Sequence, residues 1–245
     1  MEMKKHSRVC ANIDLDAIRY NMESMHQNID PETKIMAVVK ADGYGHGAIP
    51  IAREIEDLDY LYGYAVATVE EGLMLRRSGI KKPILILGYI FPDQYEDVIE
   101  ADIDPSVFTL EMAKTLSDAA GRVGKTCKIH FAVDTGMSRI GYQVTEESAD
   151  EMEQIAKLPH MIVEGIFTHF AKADETDKTF TTEQTEKFRK MVRMMEERNI
   201  SIPLKHCSNS AGIVDIPEVN MDMDMEQFRS QGKSKIWITY MDMLS

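Results

Sequence analysis

A lysine closes an apolar run in AVVKADGYGHGA, residues 37–48, and a glycine-rich turn follows it directly. An amine emerging from Val38 and Val39 is partly desolvated and can serve as a nucleophile toward a carbonyl carbon. Schiff-base chemistry at Lys40 is one reading of this pattern. The other is a strand-end lysine that reaches back to solvent before an ordinary turn, and spacing alone leaves both open. Gly43, Gly45 and Gly47 would let backbone amides come close to a ligand. A second stretch, HCSNSAGI at residues 206–213, sets a Ser-Asn-Ser-Ala-Gly turn ahead of a helix, where amides and hydroxyls can point at an anion such as phosphate.

Such residues need a frame, and the sequence spells one. Seven β-rich runs alternate with helix-patterned stretches: KIMAVVK (34–40), YLYGYAVA (60–67), PILILG (83–88), ADIDPSVF (101–108), CKIHFAV (127–133), MIVEGIFTHF (161–170) and PLKHCSN (203–209). Most lack polar alternation, as strands buried on both faces do. Helix signals fall between them in AIPIAREIED, TVEEGLMLRRSGI, DQYEDVIE, TLEMAKTLSDAAGRVG and EESADEMEQIAKLP. The last of them lies in QTEKFRKMVRMMEERN, with Thr181 and Gln184 at capping-box spacing. Seven βα repeats predict an α/β chain folded as a (β/α)8 TIM-type barrel with an irregular eighth strand near the C-terminus, since such barrels take about 250 residues. An open doubly wound sheet is the runner-up. In the barrel, Lys40 falls on the C-terminal rim, where sites of this fold are built.

Composition narrows the function. The 245 residues carry 28 Lys plus Arg against 41 Asp plus Glu, a formal charge of -13 that repels phosphate backbones and anionic lipid; no basic stripe offsets it, so neither nucleic acid nor a membrane is an expected partner. The longest strongly apolar run, ILILGYIF at residues 84–91, is far short of the ~20 residues of a bilayer span, and the N-terminus has charge without an apolar segment behind it. A cytoplasmic protein is expected. Cys10, Cys127 and Cys207 are odd in number and widely spaced, which predicts buried free thiols and no metal site.

AVVKADGYGHGA resembles the pyridoxal-phosphate lysine motif of the alanine racemase family, and three further segments match in the same order: VDTGMSRIGY (133–142), GIFTHFAKADE (165–175) and HCSNSAGI (206–213). The resemblance covers roughly residues 8–220. It implies a barrel that binds pyridoxal 5'-phosphate as an imine on Lys40, the catalytic residue, with Tyr44 at the position that contacts the phosphate. Arg139 falls where the family's arginine orients the substrate carboxylate. His169 falls where a histidine supports an arginine at the pyridine nitrogen, and Asn209 and Ser210 match the cofactor-side pair after the seventh strand. The activity implied is interconversion of L- and D-alanine for the bacterial cell wall, in a homodimer whose partner subunit supplies a second base, a tyrosine, from a β-rich C-terminal domain.

Residue by residue, the chain also departs from that pattern. The β domain is expected to have no counterpart here, as in a chain truncated or shifted in reading frame after Asn220; on that expectation the opening strand loses its partners, which leaves an exposed strand edge and low solubility. Residues 1–30 are expected to form a strand and a helix outside the barrel, 31–220 the cofactor-binding barrel and 221–245 a divergent tail, with the eighth strand drawn from FRSQGKSKIWITYM. Arg229 and Gly232 only echo the family's Arg and Gly-Ile, and no role is carried over to them. Ala132 stands where many members have a lysine that holds the neighbouring arginine, so Arg139 is expected either to be less firmly placed or to be held by another group. Three readings remain open: an alanine racemase, a barrel-only pyridoxal-phosphate-binding protein without racemase activity, and a defective fragment that neither folds stably nor binds cofactor.

Overall fold

The computed structural model describes residues 11–216 and 236–242. Eight parallel strands close into a barrel in chain order. They are β1 (Lys34–Val38), β2 (Leu61–Val66), β3 (Ile84–Ile86), β4 (Asp104–Val107), β5 (Cys127–Ala132), β6 (Met161–Phe167), β7 (Leu204–His206) and β8 (Ile236–Asp242). The eighth strand falls in the second half of the stretch expected to supply it and runs one residue past its end. It sets Lys34 beside Ile238 and Val38 beside Asp242 on β1, and Leu204 beside Ile236 on β7. Both neighbours of the closing strand are thus paired, and the barrel sheet is closed.

Nine helices stand around and above this sheet among the described residues: α1 (Leu15–His26), α2 (Lys40–Tyr44), α3 (Ala48–Ile55), α4 (Val69–Arg77), α5 (Tyr95–Glu100), α6 (Leu110–Val123), α7 (Glu146–Ala156), α8 (Thr179–Glu197) and α9 (Ser210–Asp215). Threonine caps open three of them. The hydroxyls of Thr68, Thr109 and Thr145 accept the backbone N–H of Glu71, Met112 and Ser148, satisfying donors that a helix start leaves orphaned. Before α1, Asp14 does the same for Ala17, and residues 11–14 carry no strand. The strand expected ahead of α1 therefore has no counterpart in residues 11–14, and its earlier part lies outside the described residues. Cys10 also lies outside them, as do Arg229, Gly232 and the tail apart from β8. Cys127 and Cys207 are free and buried, and burial pushes both thiols up to about 12.

Side-chain alternation along β1 divides the core. Ile35, Ala37 and Val39 pack in the large cluster shared with the helices, whereas Met36 and Val38 join Ala65, Leu85 and Leu204 inside the barrel. The interior is partly polar. His130 on β5 and His206 on β7 meet at 2.9 Å, Nδ1 to Nε2, both fully buried. Burial drives His130 down to about 3, aided by the Lys128 charge, and drives His206 well below its ordinary value, so this is a neutral imidazole pair. Gly165 on β6 makes room for it: a Cβ there would lie 2.2 Å from His130 Nδ1. No helix among the described residues is long and apolar enough to cross a membrane.

One element begins earlier than the sequence pattern suggests. Helix α8 starts at Thr179 behind Lys178, so Thr181 and Gln184 lie inside it and form no capping box. Both are buried.

Candidate active site

The period of β1 determines where Lys40 goes. Met36 and Val38 face the barrel interior, and the next residue in step is Lys40. The strand itself stops at Val38, so Lys40 is not its last residue, as expected from sequence, but the first residue of α2. That segment is no ordinary helix. Ala41 (φ 52°, ψ 46°), Asp42 (φ 53°, ψ 49°) and Gly43 (φ 60°, ψ 40°) are left-handed, and Tyr44 has φ 55°. Left-handed backbone costs about 1–2 kcal/mol for each non-glycine residue, so the turn must be held from outside.

Several groups hold it. Within the turn, Gly43 N–H donates to Val39 O at 2.8 Å, Gly45 N–H to Ala41 O at 2.9 Å and Gly47 N–H to Asp42 O at 2.8 Å. The Asp42 carboxylate accepts Ala48 N–H at 2.9 Å, tying the turn to the start of α3. Glu71, the capping-box acid of α4, accepts Ala41 N–H at 2.7 Å with Oε1 and Ala67 N–H at 2.8 Å with Oε2. One carboxylate thus joins the residue after Lys40 to the end of β2. Gly43 also needs its missing side chain for packing, because a Cβ there would lie 2.9 Å from Ile51 Cδ1.

Lys40 opens onto a cavity of about 240 Å³ at the C-terminal rim of the strands, lined also by Leu87, Arg139, Phe167, His169 and Asn209. Lys40 Nζ stands 5.8 Å from the centre of the Tyr44 ring. Arg139 comes from the loop after β5, where Val133 bridges Tyr142 and Asp134 gathers the turn. The Asp134 carboxylate accepts Gly136 N–H at 3.0 Å, Ser138 N–H at 2.9 Å and the Gln143 amide at 3.0 Å. Burial acts to raise this carboxyl, but the Ser138 and Gly136 N–H groups and the Gln143 amide outweigh it and hold it below the ordinary carboxylate value. Arg139 itself is exposed and makes no hydrogen bond or ion pair among the described residues.

His169 follows β6, one residue past Thr168, whose N–H donates to His206 O at 3.2 Å. Below the cavity the Phe167 ring stacks on His206, centroids 5.2 Å apart and 12° from parallel. Asn209 caps α9 by accepting Gly212 N–H at 2.9 Å, and Ser210 is the first residue of that helix. The structure therefore brings Lys40, Arg139, His169 and Asn209 to one cavity. Tyr44 and Ser210 sit beside its lining, on α2 and α9. Sequence reasoning passed over Glu71, although TVEE at residues 68–71 has capping-box spacing, and over Asp134, whose signal was the Asp-Thr-Gly turn.

The fold is thus a parallel α/β barrel of the TIM type whose rim cavity gathers an amine just past the first strand, a guanidinium, an imidazole and an amide. Residues 13–227 match the family model described as "Alanine racemase, N-terminal domain", and the chain belongs to that family. It is 43% identical over 215 residues to an alanine racemase of Desulforamulus reducens, covering 88% of this chain and 58% of that protein. To an alanine racemase of Clostridium tetani it is 44% identical over 221 residues, 90% of this chain and 57% of that one. The solved alanine racemase of Clostridium difficile 630 superposes with a TM-score of 0.85 at 36% identity, covering 94% of this chain and 56% of the other. The chain thus spans a little over half the length of the relatives it matches.

Proposed function

We propose that this protein interconverts L- and D-alanine using pyridoxal 5'-phosphate held on Lys40. The observation that carries the reading is the placement of the Lys40 amine, on a turn braced from α4, in one cavity with Arg139, His169 and Asn209. The donor set suits the cofactor. An aldehyde requires an amine, and a phosphate requires hydroxyl and amide donors such as those of Tyr44, Asn209 and Ser210. When bound, the cofactor supplies an electron sink for the charge left on Cα. The protein's part is position and proton transfer. Arg139 binds the substrate carboxylate through two parallel N–H donors, which fixes the face of Cα presented to Lys40. Lys40 Nζ, once free as an amine, takes the proton from that face. A second base serves the other face in this reading, supplied in a homodimer by the partner subunit. We place the enzyme in the cytoplasm, where free thiols such as Cys127 and Cys207 persist.

Purified protein is titrated with pyridoxal phosphate, its absorbance is followed, and the mixture is reduced with borohydride before mass spectrometry. A reduced adduct on the Lys40 peptide, lost in Lys40→Ala, supports the reading, and D-alanine formation from L-alanine completes it. An adduct without turnover favours the barrel-only binding protein, and labelling spread over surface lysines with none at Lys40 overturns both.

A further inference from the structure

Gln184 sits on α8, outside the cavity, yet all its polar capacity is directed at the loops that carry two cavity residues. It is fully buried. Its Nε2 donates to Thr135 Oγ1 at 3.0 Å, on the loop leading to Arg139, and to the carbonyl oxygen of His169 at 3.1 Å. Its Oε1 accepts Ala171 N–H at 2.9 Å. Both amide hydrogens and the amide oxygen are thereby used. Thr135 Oγ1 lies 2.8 Å from Thr168 Oγ1, so the two loops also meet each other through buried hydroxyls. The fit is close. A Cβ on Gly136 would stand 2.9 Å from Phe180 Cζ and 3.7 Å from Gln184 Cγ, which seats the Thr135–Gly136 backbone directly against α8.

A glutamine in a helix interior needs none of this for helix formation, and a buried amide is expensive unless every hydrogen bond is made. Arg139 makes no hydrogen bond of its own among the described residues, so its loop is located by what lies behind it. We propose that Gln184 is a positioning residue that ties the Arg139 loop and the end of β6 to α8 as one unit, and so sets the grip of Arg139 on the substrate carboxylate. The consequence for substrate rests on the function proposed above; the tie between the loops does not.

The test separates the two. Hydrogen exchange is measured on the full chain for wild type, Gln184→Met, Gln184→Glu and Thr135→Val. Gln184→Met keeps the volume and removes the polar contacts, and exchange is expected to rise about tenfold together in residues 134–142 and 168–173, with residues 40–48 unchanged. Gln184→Glu keeps the acceptor for Ala171 N–H and can accept the Thr135 hydroxyl, but it sets a carboxylate oxygen against the His169 carbonyl, so 168–173 should loosen more than 134–142. Thr135→Val, which leaves α8 intact, should loosen residues 134–142 if the methionine variant fails to fold. In the cofactor-loaded protein, the L-alanine concentration needed to perturb the absorbance band should rise about tenfold in Gln184→Met, while attachment at Lys40 is unchanged. Exchange in both loops within twofold of wild type in Gln184→Met and Thr135→Val overturns the proposal. Loosened loops with unaltered alanine response overturn the carboxylate grip alone. Absence of any Lys40 adduct in wild type counts against the proposed function and leaves the exchange result to decide the tie.

Discussion

Glu71 serves two backbones at once. Its oxygens accept Ala41 N–H and Ala67 N–H, and replacing the carboxylate by an amide turns one of those acceptors into a donor facing a donor. Glu71→Gln should therefore destabilise the protein by about 1–3 kcal/mol in denaturant unfolding and weaken cofactor attachment to Lys40. Unchanged values for both would show that the left-handed turn holds itself. At this scale the sequence marked candidates but not what holds them. Lys40 and the Asn209 turn stand out by residue type and local motif, whereas Arg139 and His169 are marked only by the family resemblance. The groups that fix them act across 30 residues from Glu71 to Ala41 and 49 from Gln184 to Thr135, distances at which sequence spacing carries no signal. Capping-box spacing misled at Thr181 because Gln184 lies on the buried face of α8 and was assigned to a terminus that the helix had already passed.

Strands and helices followed their periods, and their ends did not. Every one of the seven β-rich runs holds a strand, but each strand is shorter than its run, since the last residues at the rim leave the ladder to form the turns that carry the cavity residues. β6 shows how one element constrains another. Its Gly165 looks like a weak point for a strand, yet the space it leaves is filled by His130 of β5. Gly165→Ala should lose ~3 kcal/mol or more, a drop of about 10 °C in Tm. Adding His130→Ala should restore part of that loss, so that the double variant is less destabilised than the sum of the two single ones. Full additivity in the melting temperatures would mean that the imidazole does not occupy that space.

For the molecule as a whole, acid and base groups buried in the barrel make stability depend on pH. Burial pushes the Asp104 carboxyl up to about 7 from 3.8, against the pull of Lys128 and Arg76. Between those two values the native state keeps a proton that the unfolded chain has released, so this group's effect on stability worsens as pH rises to 7 and is level above it. His130 acts in the other direction, its contribution falling as pH drops from 6.5 towards 3. Asp104→Asn should therefore gain on wild type from pH 4 to pH 7, by on the order of 2–4 kcal/mol, and hold that gain at pH 8.5. A difference that does not vary with pH in urea titrations would contradict this.

The barrel seam has a further consequence, in time. β1, the strand that leads to Lys40, has β2 as one neighbour within the next thirty or so residues, but its other neighbour is β8, about two hundred residues further along. A ribosome releases those partners in that order. Until Ile236–Asp242 clears the exit tunnel, a nascent chain holds β1 and β7 as two bare edges of an unclosed sheet. Closure is then a single late event of very long loop length, so the strand made first is among the last to be completed.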